Sequence, residues 1–559
     1  MPLFLKKHYF PVLISFFLIY STLLIFKTSF VFDGVRYFIL SDDAMISMRY
    51  GYNFAHGLGL VWNPGEFVEG FTNPLWTLFM AIIHFLPIPI AKMSLIVQIA
   101  GVLCMMASLY FIKRIASIIS NSSFTVTFFS VLFTAFYFPL INWTIVQGME
   151  VGILTLFLSS ATFLALKSIK TKKFSLILFI ILGIGTLVRI DFFVSSVIIS
   201  LFLVIFERKN RKKYFFIGIP IILFFVFAQT SLRIWYYHDI LPNTYYVKLT
   251  GYPILNRIIR GLYVLLKSFS PNISAVFDSH ILQLFTRIIV ISMLVIPFLY
   301  AYAKRNKQMF LLLTLFSTQM LYSVYVGGDV WEYYGGANRF VAFSIPLFFI
   351  SLIYTTHSIF TKNRKYLKEH LPINYKVSEL SVILLFFVLL SRSNVEQLSR
   401  LFLRIPQTTL EVNMARLKGA YQIRSVTNSN AKIGAAAVGV APYFNPDRYF
   451  IDLLGKTEKT IARGDAVKDQ KFENILDESI AFQPGHVKWD YPYVVKKYNP
   501  DIFSEIYPYK GIENTQYLLE HGYVKMKTIS GESIYYVRKG SRNIKWENLK
   551  EYRESKSSK

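Results

Sequence analysis

The sequence predicts a polytopic α-helical membrane protein of about eleven transmembrane helices followed by a soluble α/β domain. Three observations predict it. Charged residues make up only 17% of the 559 residues while the AVILMFWYC set reaches 54%; an average soluble domain is about 25% charged. Apolar runs recur that are long enough to cross a bilayer, which takes about 20 helical residues. The 60 Lys and Arg residues outnumber the 33 Asp and Glu, and they gather in short loops between those runs, as membrane orientation requires. This composition excludes a soluble cytosolic enzyme, a disordered chain and a disulfide scaffold, and the placement of the basic residues speaks against a nucleic-acid partner. The lone cysteine, Cys104, cannot form an intrachain bridge and reads as a buried thiol.

The first run, Tyr9 to Phe32, follows Lys6 and Lys7 and is not followed by an A-x-A-like cleavage site. It reads as an uncleaved first helix with a cytoplasmic N-terminus. Further runs lie near 94–112, 123–141, 151–166, 174–188, 192–206, 214–235, 283–303, 308–326, 339–360 and 377–392. Basic clusters at Lys113-Arg114, Lys167 to Lys173, Arg208 to Lys213, Lys304 to Lys307 and Lys362 to Lys368 fall at every second loop, which places those loops inside. The parity holds only if the apolar stretch Pro74–Pro87 lies at the interface without crossing. Segments 33–93, 189–191, 236–282 and 327–338 then face outward. Residues 1–392 form the membrane domain, and 393–559 form the outer α/β domain. In that tail, Lys432–Val440, Tyr449–Leu454 and Ser533–Val537 read as strands and Thr409–Arg416 as helix.

The first outer loop, 33–93, carries the most chemistry. It contains Ser41-Asp42-Asp43-Ala44, Arg49-Tyr50, Gly59-Leu60-Val61-Trp62-Asn63-Pro64-Gly65-Glu66 and Glu69-Gly70-Phe71-Thr72-Asn73-Pro74-Leu75-Trp76. Of two adjacent carboxylates, one could accept a proton from an attacking hydroxyl while the other holds a cation or orients a sugar. Ser-Asp-Asp is equally a helix-capping sequence. Elsewhere, Arg189-Ile190-Asp191 suits either a phosphate or an internally compensated ion pair. His486 stands without a second His, so it reads as a hydrogen-bonding residue before a metal ligand. Trp62, Trp76 and Trp331 are candidates for sugar stacking or for the membrane interface. No Gly-rich phosphate loop precedes a helix, which disfavours a nucleotide-sugar donor.

The stretch SDDAMISMRYGYNFAHGLGLVWNPGEFVEGFTNPLW resembles the first outer loop of the GT-C glycosyltransferases similar to the mycobacterial terminal β-arabinofuranosyltransferase. Gln147-Gly148-Met149-Glu150 resembles that group's S-G-M-E turn, with Gln in place of Ser. Leu241–Lys248, Gly327-Gly328-Asp329 with Arg339-Phe340, Ile451–Gly455 and Pro484–Asp490 resemble its remaining motifs, although the insert Trp331–Asn338 is this chain's own. The resemblance implies a GT-C-type fold in a bacterial plasma membrane. It implies transfer of a sugar, arabinofuranose by analogy, from a polyprenyl-phosphate donor to a glycan or glycolipid acceptor on the outer face, with inversion. Asp42 would be the general base, with Asp43 and Glu69 as the other catalytic acids. Asp43 would orient the acceptor, or bind a divalent cation if the reaction uses one; no metal ligands are assigned. Arg49, Arg189, Asp191, Asn243, Lys248, Asp329, Arg339, His486 and Lys488 would bind the donor phosphate and sugar. A flippase or transporter of lipid-linked glycans, or a ligase or polymerase of them, is the alternative. A transporter is expected to carry ionisable groups near mid-membrane, whereas here they gather at helix ends.

Overall fold

A computed structural model describes residues 3–269, 280–330, 338–370, 375–390, 402–404, 408–467, 474–508 and 512–552. Trp331 and the 392/393 boundary lie outside these residues. Over the described residues each of the eleven apolar runs is mainly helical, the first ending at Thr28 before a short strand. Six described helices are both long and apolar enough to cross a membrane: His8–Thr28 within α1 (Leu3–Thr28), Ile90–Ile119, Val151–Thr171, Arg211–Tyr237, Leu284–Ala303 and Lys307–Val326. The pair Phe124–Phe136 and Phe138–Val146, bent by 51°, makes a seventh if it is counted as one span. Leu176–Val188 and Phe192–Phe206 are shorter, at 13 and 15 residues. The span count by length and composition is therefore lower than the eleven runs suggest.

Between the first two spans the chain forms a hairpin, β1 (Phe30–Phe32) with β2 (Val35–Tyr37), then helix α2 (Asp42–Ala55) and helix α3 (Pro74–Ile83). Ser41 starts α2, its hydroxyl accepting the Ala44 N–H, so both aspartates sit in the first turn at the positive end of the helix dipole. Pro74 starts α3, where a missing N–H costs nothing. Ten residues make about 15 Å of helix, half of a bilayer core.

Two ends of the helical part are distinguishable. Glu150, at the start of Val151–Thr171, pairs with Arg189, while the other end of that helix carries Lys167 and Lys170 to Lys173. Those 21 residues put the two ends about 30 Å apart. Lys172 O accepts from Asn210, and the Lys307 ammonium lies over the Phe206 ring. Lys113 likewise covers Tyr9. Basic clusters thus gather at the end away from Glu150.

The C-terminal part holds a six-stranded mixed sheet in the order β4-β3-β5-β7-β6-β8. The strands are β3 (Lys432–Ala435), β4 (Tyr449–Asp452), β5 (Ile502–Phe503), β6 (Tyr523–Thr528), β7 (Ile534–Arg538) and β8 (Leu549–Glu551). The strand expected over Lys432–Val440 stops at Ala435 because the next N–H groups leave the ladder. Glu505 takes the Ala437 N–H, and Asp42 takes the Val440 N–H. Similarly β4 ends at Asp452, whose carboxylate turns the chain by accepting from Leu454 and Thr457 N–H. The helix expected at Thr409–Arg416 extends over Thr408–Val426.

The sheet docks on α2 at Gly439, where a Cβ would run into the Asp42 backbone. Gly439→Ala should therefore lower the unfolding free energy by about 1–3 kcal/mol, the usual cost of overpacking a tight contact. Denaturant unfolding of the purified protein checks this; an unchanged midpoint would mean that α2 and the sheet do not meet as described.

Candidate active site

The first turn of α2 points its two carboxylates in different directions. Asp43 reaches Lys456 Nζ with Oδ1 at 3.1 Å and Arg339 Nη1 with Oδ2 at 3.2 Å. Arg339 in turn holds Asp329 at 2.9 Å from Nε. Lys248, from helix Asn243–Leu249, and His486 complete a cleft walled by Val326, Gly328, Phe340 and Pro484. They come from five parts of the chain: Asp43 from α2, Lys248 from the Asn243–Leu249 helix, Asp329 and Arg339 from the positions that follow the Lys307–Val326 helix, Lys456 from the turn after β4, and His486 from the 484–488 loop. As it stands the cleft has a volume of about 10 Å³, room for roughly one water. Its own ion pairs close it.

Burial opposes ionisation of Asp43, but Lys456, Arg339 and Lys248 outweigh it and hold its carboxyl well below the usual carboxylate range. Burial and Arg339 bring Lys248 down to about 8, with Asp43 and Asp329 acting in the opposite sense. Burial, reinforced by Lys456, puts His486 at about 3, so its imidazole is neutral at pH 7. The lining side chains then carry three cations (Lys248, Arg339, Lys456) and two carboxylates (Asp43, Asp329), a surplus of one positive charge.

Several residues expected in the site sit elsewhere. The Asp42 carboxylate accepts the Val440 N–H at 3.0 Å and is 3% exposed, behind the cleft. Arg49 is fully buried and donates to the carbonyls of Trp62, Pro442 and Arg448 and to Asn63 Oδ1, with Trp62 and Phe450 rings against its guanidinium. It is a strut between α2, its following loop and the C-terminal part. Arg189 is shared between Asp191, at 2.8 Å, and Glu150, at 3.1 Å, which is the internally compensated alternative. Asn243 donates to the carbonyls of Gly455, Lys456 and Glu458, fixing the turn that carries Lys456. Lys488 donates to the Tyr246 and Ala462 carbonyls and to Thr250 Oγ1, tying the 484–488 loop to the Lys248 helix. Both residues position the cleft without lining it. Trp62 packs on Arg49, and Trp76 donates to the Gly148 carbonyl. Among the described residues no group of three or more His, Cys, Asp or Glu side chains is arranged to hold a metal ion.

Glu69 pairs with Arg233 at the wall of a separate apolar groove of about 510 Å³. The groove runs between α3, Leu187 and the 224–237 part of the Arg211–Tyr237 helix, and its other walls are mainly Leu and aromatic side chains. Groove and cleft are neighbours through a short bonded chain. The Asn243 N–H donates to Glu69 O at 2.9 Å, Asn243 Nδ2 to Lys456 O at 3.1 Å, and Lys456 reaches Asp43.

Sequence reasoning missed Lys456, Arg233 and Glu150 as charge partners. Lys456 directly follows the Ile451–Gly455 motif, and Glu150 closes the Gln147–Glu150 turn, so both lay within a residue of segments already singled out. Arg233 sits inside a long apolar run, where a lone guanidinium needs a partner, and that is the signal by which it could be found.

Residues 404–545 match a family described as a domain of unknown function, DUF8728. No curated protein sequence matches the chain. Among solved structures it shares the fold of ArnT from Cupriavidus metallidurans bound to undecaprenyl phosphate, with TM-score 0.54 and 9% identity over 96% of this chain and 99% of that one. The same protein in its apo state gives TM-score 0.54 and 10% identity over 95% and 98%. The fold is thus that of a polytopic membrane protein along essentially the whole chain.

Arg49→Lys keeps the charge but cannot reach the same four acceptors. It should destabilise the protein by about 2–4 kcal/mol, since each buried acceptor left unpaired costs about 1–3 kcal/mol. Thermal or denaturant unfolding reads this directly. A stability equal to wild type would return Arg49 to the set of ligand-binding candidates.

Proposed function

We propose that the chain is an integral-membrane glycosyltransferase that moves a sugar from a polyprenyl-phosphate donor to a hydroxyl of a glycan or glycolipid acceptor. The observation that carries this reading is the cation-rich cleft around Asp43, set beside an apolar groove in the membrane-spanning part. The groove suits an isoprenoid tail, and the cleft suits the phosphate that heads it. That the fold neighbour was solved with undecaprenyl phosphate supports the same class of ligand. The segregation of the basic clusters at the far end supports placing the cleft on the outer face of a bacterial plasma membrane. Arabinofuranose as the sugar rests on the loop motifs alone.

The charge arithmetic favours a monophosphate-linked donor. A phosphodiester brings one negative charge to a cleft with a surplus of one positive charge, and the sum is zero. In the transfer step the acceptor oxygen attacks the anomeric carbon, and the bond from that carbon to the phosphate oxygen breaks. The acceptor proton passes to the Asp43 carboxylate. The leaving phosphate monoester now holds two negative charges and Asp43 none, so the sum is again zero. A diphosphate donor would start with an excess of one negative charge. Lys248, Lys456 and Arg339 hold the charge that grows on the leaving phosphate; each such contact at about 4 Å is worth roughly 4 kcal/mol at an effective dielectric of 20.

Asp43 takes the base role in this reading, where the motif order pointed to Asp42, because Asp43 lines the cleft and Asp42 holds the Val440 N–H. In the resting cleft Asp43 is too weakly basic, with both oxygens paired to cations. A phosphate that draws Lys456 and Arg339 to itself releases that carboxylate and makes it basic enough to accept a proton. Donor binding therefore precedes activation of the acceptor.

Purified protein assayed with a panel of polyprenyl-phosphate sugars tests this. Asp43→Asn should lose about 10²–10⁴-fold in turnover, the range for removal of a general base, while Asp42→Asn keeps turnover within a few-fold. Normal transfer by Asp43→Asn would remove it from the mechanism, and transfer of no sugar by wild type would remove the reading itself.

A further inference from the structure

At the basic end of the helical part, far from the cleft, three side chains form a hydrogen-bonded relay. Ser123 Oγ lies 2.9 Å from His357 Nε2, and His357 Nδ1 lies 2.6 Å from Glu379 Oε1. They come from three helices: Ser123 is the N-cap of Phe124–Phe136, His357 lies in Ile345–Lys362, and Glu379 is the fifth residue of Tyr375–Leu390. A carboxylate only accepts, so Glu379 places the proton of a neutral imidazole on Nδ1 and leaves the Nε2 lone pair facing the Ser123 hydroxyl. That is the order nucleophile, base, orienter that activates a serine.

The backbone around Ser123 fits this role. A tight turn with two left-handed residues, Asn121 and Ser122, delivers Ser123 to the start of a 13-residue helix. Its side chain makes no capping bond and is committed to His357. The first bond of that helix runs from the Thr127 N–H to Ser123 O, so the N–H groups of Phe124 and Thr125 precede the ladder and stand beside the serine. Glu379 is buried, while the His357 side chain keeps 25% exposure and Ser123 is half-buried, so the reactive pair is within reach from outside. His357 is five residues from Lys362, about 7.5 Å from the helix end, at headgroup depth if that helix spans.

We propose that Ser123, His357 and Glu379 form a second catalytic site, an esterase site for acyl esters of amphiphiles presented at the membrane surface. Ser123 Oγ attacks the ester carbonyl carbon and gives its proton to His357 Nε2. The tetrahedral oxyanion faces the Phe124 and Thr125 N–H groups. The bond to the alcohol oxygen breaks, and the alcohol leaves with the proton from His357. Water then attacks the acyl-serine with His357 as base, releasing the carboxylic acid and restoring Ser123. The site is independent of the sugar-transfer reading, and its test uses no sugar donor.

Detergent-solubilised full-length protein is treated with a fluorophosphonate probe and mapped by peptide mass spectrometry, and hydrolysis of a p-nitrophenyl acyl ester in mixed micelles is followed in parallel. Wild type should carry the phosphonyl group on Ser123. His357→Gln, folded by its unfolding midpoint, should label at least 10²-fold more slowly, and Ser123→Ala should neither label nor hydrolyse. A wild type that labels Ser123 no faster than the exposed Ser122 overturns the proposal and leaves the three residues as a clasp joining three helices. Ester hydrolysis that persists in Ser123→Ala overturns it equally.

Discussion

The structure depends on one carboxylate serving two masters. Asp43 is held by Lys456 from the C-terminal part and by Arg339 from the helical part. Through Arg339 the connection continues to Asp329, and the field of Glu150 reaches the same guanidinium. Taking these groups out of water costs several kcal/mol per ion, and the attraction between them repays that only while the geometry is complete. The surrounding struts supply that geometry. Arg49 fixes α2 to the C-terminal part, Asn243 fixes the turn carrying Lys456, and Lys488 fixes the loop carrying His486. The closed cleft has room for about one water, and its cations are held in register by an internal anion, which the proposed function has a phosphate replace.

Under the proposed function, three cations are needed instead of one. A single lysine would be neutralised by Asp43 and would offer nothing to a phosphate. Lys248, lowered to about 8 by burial and by Arg339, is the cation with most to gain from an incoming anion. The neutral His486 beside it adds hydrogen-bonding capacity without adding charge. In the proposed function the groove would supply the remaining part of the ligand's fit, since an apolar tail gains about 25 cal/mol for each Å² it removes from water.

Much of this was legible in the sequence, for identifiable reasons. Apolar length marked the long helices of the membrane part, because lipid leaves the backbone few alternatives, but not the polar or amphipathic helices α2, Asn243–Leu249 and Ile254–Phe269 in the segments between them. The loop motifs named Asp43, Lys248, Asp329, Arg339 and His486, which the fold brings together from four distant segments. What stayed hidden was direction. Ser41 capping α2 turns adjacent aspartates to opposite sides, so Asp42 meets a backbone N–H and Asp43 the cations, and no one-dimensional pattern separates them. Arg49 shows the same limit: a motif arginine is equally suited to a phosphate and to several carbonyls, and only the approach of Pro442 and Arg448 places it against carbonyls. Strands β5 and β6 carried too little alternation to be noticed, β5 being two residues long.

In the proposed function a phosphate replaces Asp43 between its cations. A cryo-electron microscopy structure of the protein in nanodiscs containing polyprenyl phosphate measures this most directly. Phosphate density is expected within hydrogen-bonding distance of Lys248, Lys456 and Arg339, with the Asp43 ion pairs opened and the tail in the groove lined by Leu78, Phe224 and Leu232. Phosphate density away from these three cations, with Asp43 still paired to Lys456 and Arg339, would contradict it.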